Sequence, residues 1–143
     1  MNLGIEKRVA LVVGASRGIG LEVARELRAE GCEVQPVSRT HGYDLMTQEG
    51  LERLFATIAP PDIIVHVMGG SQGRTKTLSE SKDWAEVWKL NLGVAHDINR
   101  QYIPMMQRNK WGRIIHLSSN ATRIPTGYAP YTSAKAALEG YIR

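Results

Sequence analysis

Tyr131 and Lys135 stand four residues apart in YTSAKAALEGYIR, where Ala134, Leu138, Tyr141 and Ile142 repeat with helical spacing. Side chains at i and i+4 share one face of a helix, so a phenol and an ammonium would lie side by side. A free phenol has a pKa of about 10, and bringing one to about 7 takes roughly 4 kcal/mol of bias toward phenolate. An ammonium about 5 Å away supplies on the order of 3 kcal/mol at an effective dielectric of roughly 20. Such a pair can pass a proton to or from a substrate oxygen near neutral pH. Plain packing on a helix is the rival reading, and the pair alone does not exclude it.

A second cluster is the loop VVGASRGIGLEVA, with Gly14, Gly18 and Gly20 between an apolar run and an amphipathic segment. Glycine permits positive φ and lets a backbone approach a ligand without a Cβ in the way. A loop of this kind presents backbone N–H groups and the positive end of a helix dipole at one spot, an anion site suited to a pyrophosphate. The position after a strand and before a helix is the context that makes the glycines informative. At the end of the next strand an acidic residue would accept from a ribose 2′-OH, whereas an Arg suits a 2′-phosphate. Here that place holds Ser38 and Arg39 with no carboxylate, and Arg17 lies inside the loop itself. Two guanidiniums near one site favour NADP(H).

The elements that must position these groups are legible as patterns. VALVV (9–13), IIVHV (63–67) and IIHL (114–117) are continuous apolar runs, as expected for strands buried on both faces of a parallel sheet. EVQPV (33–37) reads as a further strand, weakened by Pro36. Helical patterns follow: Ile19, Val23 and Leu27 ending at Gly31; Leu51, Leu54, Phe55 and Ile58; and a long one from about 82 to 108. The long helix carries Trp84, Val87, Trp88, Val94, Ile98 and Tyr102 in register, with Pro104 expected to bend its last turn. The alternation predicts an α/β fold, a doubly wound parallel sheet. Only five residues separate Ser38 from Asp44, too few for a crossover helix, so residues 44–46 form at most a vestigial edge strand.

The chain has 143 residues, 43% hydrophobic and 22% charged, which fits one globular domain. A net charge of +4 with no basic stripe argues against duplex nucleic acid as a partner. The single cysteine, Cys32, excludes an intrachain disulfide and fits a reducing cytoplasm. The first apolar run is too short to span a bilayer, so no membrane association is expected. No His/Cys/Asp cluster has metal-ligand spacing.

GASRGIG, KLNLG, GRIIHLSS and YTSAK occur in this order, and the set resembles the short-chain dehydrogenase/reductase family over the whole chain. The resemblance implies a Rossmann sheet, a nicotinamide cofactor and hydride transfer between an alcohol and a ketone. It implies Tyr131 as the catalytic acid/base, Lys135 as its partner and Asn91 as the helix residue of a water-linked proton relay. Counting from GRII places the family's serine on Ser119; counting back from Tyr131 places it on Ser118. The strand is the firmer anchor, and Ser119 is taken. The cofactor would meet Gly14, Ser16, Arg17, Gly18, Ile19, Gly20, Ser38, Arg39, Asp44 and Gly69, together with Tyr131 and Lys135. A homodimer or homotetramer is also implied.

His66, Val67, Met68 and Gly69 stand where the family usually shows Asn-Asn-Ala-Gly, a departure that removes an inter-strand amide. His66 and His116 read as hydrogen-bonded core histidines. The last helix meets Arg143 with no C-cap signal. Family members run to about 250 residues, so residues 1–143 are expected to form one dinucleotide-binding domain, truncated at the C-terminus. It would lack the family's later strands and substrate loop, leave its last strand as an apolar edge and turn over little by itself. A fragment, a split protein completed by a separate C-terminal chain and a natural truncation all fit. Rival functions are a catalytically weak dinucleotide-binding or oligomerising module, and a relative that processes nucleotide sugars or thioesters.

Overall fold

The computed structural model describes residues 3–124 and 127–143. Pro125 and Thr126, in the segment that precedes Tyr131, lie outside the described residues. The strands are β1 (Val9–Val13), β2 (Glu33–Val37), β3 (Ile63–His66) and β4 (Arg113–His116). The helices are α1 (Gly18–Ala29), α2 (Gln48–Thr57), α3 (Ser81–Trp88), α4 (Val94–Arg108) and α5 (Ala129–Tyr141). All strand pairs are parallel, in the order β2-β1-β3-β4. The doubly wound α/β architecture expected from the alternation is present.

The central strands β1 and β3 are covered on both faces, which explains why they are continuously apolar. On one face Leu11, Val13, Val37 and Ile64 pack with Leu51 and Leu54 of α2 and Val94, Ile98 and Tyr102 of α4. On the other, Ala10, Ile63 and Val65 lie under Val23 and Leu27 of α1. The stripe Val94, Ile98 and Tyr102 therefore belongs to the protein's own core and is not free for a partner. At the far edge, Ile115 and Leu117 are 47% and 38% exposed, so β4 is the expected apolar edge among the described strands.

The short connection after β2 carries no strand. Arg39–His41 form a single 3-10 turn ended by Gly42 at φ 86°. Tyr43 N–H then donates back to Ser38 O, and Asp44 begins the approach to α2. Met46 N–H donates to Asp44 Oδ1, and Thr47 Oγ1 caps α2 by accepting from Gly50 N–H. The anticipated vestigial strand is replaced by this capped turn, because the available residues are spent on the turn and the cap. β2 is thus an edge strand, which is where a sheet tolerates the missing N–H of Pro36.

The long helix is interrupted where the sequence pattern shows no break. Between α3 and α4, Lys89–Gly93 form a π-helical turn. Asn91 sits inside it, and its Nδ2 donates to the Val87 carbonyl one turn earlier. A side chain that bonds its own helix backbone competes with the regular ladder, and widened turns of this kind recur at functional sites. α4 continues through Pro104 to Arg108. No helix among the described residues is long and apolar enough to cross a membrane.

Candidate active site

The glycine loop is shaped by contacts that leave no room for a side chain. Gly14 has φ 93°, and a Cβ there would sit 2.8 Å from Met68 N. A Cβ on Gly20 would sit 2.2 Å from the Gly14 carbonyl oxygen, so α1 can enter only as glycine. The N–H groups of Gly14 and Ala15 both donate to Val37 O, at 2.8 and 3.2 Å. These bonds pin the loop against the end of β2 and bring Ser38 and Arg39 beside it. They also mean that an anion would be met further along. The N-cap Arg17 makes no side-chain cap, and the first amides of a helix have no intrahelical acceptor. Ser16, Arg17, Gly18 and Ile19 are all exposed there.

The neighbouring turn departs from the sequence expectation in detail. Ser38 Oγ lies 2.9 Å from Thr40 Oγ1 and 2.6 Å from His41 Nδ1, so its hydroxyl is engaged locally. Arg39 is exposed. Asp44 is exposed as well, with its carboxylate accepting from Met46 N–H at 3.1 Å.

The second half of the site gathers around the loop after β3. Asn91, 2% exposed, accepts from Gly70 N–H through Oδ1 at 3.0 Å and donates to Gly70 O through Nδ2 at 2.8 Å. A Cβ on Gly69 would lie 2.7 Å from Asn91 Oδ1 and 3.1 Å from Lys135 Nζ, so Asn91, Gly69 and Lys135 converge. Lys135, 4% exposed, donates to the Leu117 carbonyl at 2.7 Å, and Nζ lies 5.9 Å from the Tyr131 ring centre. Burial holds the Lys135 ammonium below the usual lysine range.

The two candidate serines differ. Ser118 Oγ donates to Glu139 Oε1 at 2.6 Å, and the same carboxylate oxygen accepts from Thr122. Ser119 Oγ accepts from Ala121 N–H at 3.2 Å as the cap of the 3-10 turn Asn120–Thr122. Trp88 Nε1 donates to Ser133 Oγ, tying α3 to α5. No group of three or more potential metal-ligating His, Cys, Asp or Glu occurs among the described residues.

Sequence reasoning missed Asn99. It lies beside the apolar stripe of α4 and is 2% exposed. His66 Nε2 is 2.9 Å from Asn99 Oδ1, while Asn99 Nδ2 faces His116 Nε2 at 3.3 Å and Tyr141 OH at 3.2 Å. The available signal was an amide placed next to Ile98 and Tyr102 on the buried face. Both histidines are hydrogen-bonded, as expected.

The sequence matches the model of the short chain dehydrogenase family over residues 8–43 and 40–143. The chain belongs to this family. The family match breaks at residues 40–43, where the crossover is too short for a helix and strand. Alignments to relatives run to 169 positions against a chain of 143 residues. The relatives it resembles include an uncharacterized oxidoreductase of Mycobacterium tuberculosis, 28% identical over 97% of this chain and 63% of the relative. The short-chain reductase NovJ of Streptomyces niveus is 30% identical over 96% of this chain and 62% of the relative. L-sorbose reductase of Gluconobacter frateurii, solved with NADPH and L-sorbose, superposes with a TM-score of 0.85 at 28% identity. That superposition covers 99% of this chain and 64% of the reductase. A 7α-hydroxysteroid dehydrogenase solved with NADH has the same fold, with a TM-score of 0.85 at 23% identity. The chain thus spans a little under two thirds of the length of these proteins.

Proposed function

We propose that the protein is an NADP(H)-dependent oxidoreductase that moves a hydride between the cofactor and a small carbonyl or alcohol substrate. The observation that carries this reading is the loop Met68–Gly70. It touches the glycine loop at Gly14 on one side and Asn91 and Lys135 on the other, so phosphate site and acid/base pair share one sheet edge. The residues fit the cofactor: the exclusion of any Cβ at Gly14 and Gly20 keeps the backbone approachable, and the amides opening α1 suit a pyrophosphate. Arg17 and Arg39 suit a 2′-phosphate, and Asp44 stands on the adenine side.

When bound, the reduced cofactor supplies the hydride. Tyr131 gives a proton to the carbonyl oxygen as hydride arrives, and takes it back in the alcohol direction. Lys135, its ammonium fixed on the Leu117 carbonyl, stands beside the Tyr131 ring and would hold the ribose of the nicotinamide half of a bound cofactor. Ser119 orients the substrate oxygen, a role Ser118 is poorly placed for because Glu139 holds its hydroxyl. Asn91 closes the loop at Gly70, and the family resemblance would give it the helix position of a water-linked proton relay with Lys135.

Dissociation constants for NADPH and NADH test the cofactor assignment. Wild type is expected to bind NADPH more tightly by about tenfold or more, and Arg39→Ala to lose most of that margin, about 1–2 kcal/mol. Equal affinities in the wild type would remove the basis for NADP(H). Self-association as a dimer or tetramer is also proposed, with sedimentation at micromolar concentration as its check; a stable monomer would exclude it.

A further inference from the structure

We propose that His66, His116 and Asn99 form a charge-neutral positioning network for Lys135, and that acid opens it and weakens cofactor binding. This rests on the role assigned to Lys135 above. His66 and His116 are register partners on β3 and β4, with rings stacked at 4.5 Å and 13°. With Asn99 Oδ1 facing His66 Nε2, that nitrogen donates; with Asn99 Nδ2 facing His116 Nε2, that nitrogen must present its lone pair. The pattern requires a neutral His116; His66 Nε2 donates in either state, and what opposes a charge on His66 is burial beneath the stacked His116 ring. A proton on His116 Nε2 would face an amide N–H, and a charge on either ring would lie against its stacked neighbour.

The network reaches Lys135 through one residue, Leu117. Leu117 N–H donates to His66 O at 3.0 Å, and Leu117 C=O accepts from Lys135 Nζ. Leu117 directly follows His116, so displacing the ring moves the lysine's acceptor. The charged and titratable groups around the pair are Lys135 and Tyr141 from α5 and, across the Tyr141 ring, His96 from α4. Glu139, the acid of α5, is bonded to Ser118 and Thr122 instead. Among the described residues no carboxylate pairs with either ring to compensate a proton there, and His116 Nδ1 is buried with no hydrogen-bond partner.

Burial, with His116 adding to it, holds His66 down at about 4, against Asn99, which favours the charged form. Burial and then Lys135 hold His116 down. A folded pKa below the unfolded value of 6.5 means that the unfolded chain takes up protons first. The contribution of the neutral pair is complete above 6.5 and is lost as pH falls toward about 4.

The test is NADPH affinity from about pH 8 down to about 4 for wild type and for the double variant His66→Asn, His116→Asn, which stays uncharged. The ligand's own titration is common to both proteins. Wild-type affinity is expected to fall as pH drops toward about 4, by up to about tenfold per pH unit more than that of the double variant. Parallel curves would overturn the proposal. If the variant does not fold, the Lys135 ammonium resonance of cofactor-free wild type decides. An acid inflection below 6.5 supports the network, and a flat trace contradicts it. Absence of NADPH binding at every pH would instead sink the cofactor assignment, leaving the network to the resonance.

Discussion

Tyr131→Phe is expected to lower kcat by about 10²–10⁴-fold and leave NADPH affinity within about threefold. The substitution removes one oxygen and keeps the ring, which sits in partial contact with solvent at the start of α5. What is lost is the transferable proton of the phenol, whereas the Ser119 hydroxyl serves to orient the substrate oxygen. Ser118 is bonded to Glu139, and the Ser119 hydroxyl oxygen accepts from Ala121 N–H. The Lys135 ammonium is held on Leu117 and stands 5.9 Å from the ring centre, so it acts through the phenol. Steady-state rates and NADPH fluorescence titrations on the same preparation separate the two effects. A variant that turns over at the wild-type rate would remove Tyr131 from the chemistry.

Gly20→Ala is expected to destabilise the fold by about 3 kcal/mol, seen as a fall of roughly 10 °C in thermal midpoint. The added Cβ would lie 2.2 Å from Gly14 O and 2.9 Å from Gly14 C, both backbone atoms. Neither can swing aside as a flexible side chain can. Gly14 is itself fixed by its N–H bond to Val37 O and by contact with Met68, so relief must come from moving α1 away. That movement opens the phosphate loop, and NADPH affinity should fall with stability. Gly140→Ala is the control. It lies in α5 with no atom within 4 Å of its added Cβ, and it should be neutral or stabilising by about 0.5–1 kcal/mol. Equal midpoints for Gly20→Ala and wild type would show that the contact is not constraining.

The parts of the molecule that were legible in sequence are those whose signal is local. Three apolar runs and a glycine-rich turn each announce themselves within about ten residues, and β1, β3, β4 and the opening of α1 lie within a residue or two of the expected places. The brevity of 38–44 excluded a helix there by simple reach, and the turn Arg39–His41 is what that length permits. What the sequence left open is information carried by packing. The stripe Val94, Ile98 and Tyr102 has helical periodicity whether it faces a partner or its own sheet, and only the sheet order decides for the latter. The π turn at Lys89–Gly93 leaves the apolar spacing almost intact, so no pattern marks it. Asn99 matters because β3 and β4 set His66 beside His116, a register relation that neither strand contains alone. The choice between Ser118 and Ser119 rested on counting; Glu139, one turn beyond Lys135 on α5, bears on it through a contact no spacing rule anticipates.

The central claim is that Tyr131-dependent hydride transfer takes place on this scaffold. It is tested most directly by incubating the protein with NADPH carrying deuterium at C4 of the nicotinamide, one face at a time, and a panel of small ketones. Products are read by mass spectrometry, so that slow turnover is still counted. The account predicts deuterium on the carbinol carbon from one face only, reduced about 100-fold or more in Tyr131→Phe. Label transfer undiminished in that variant, or bound NADPH that delivers no label, would contradict it.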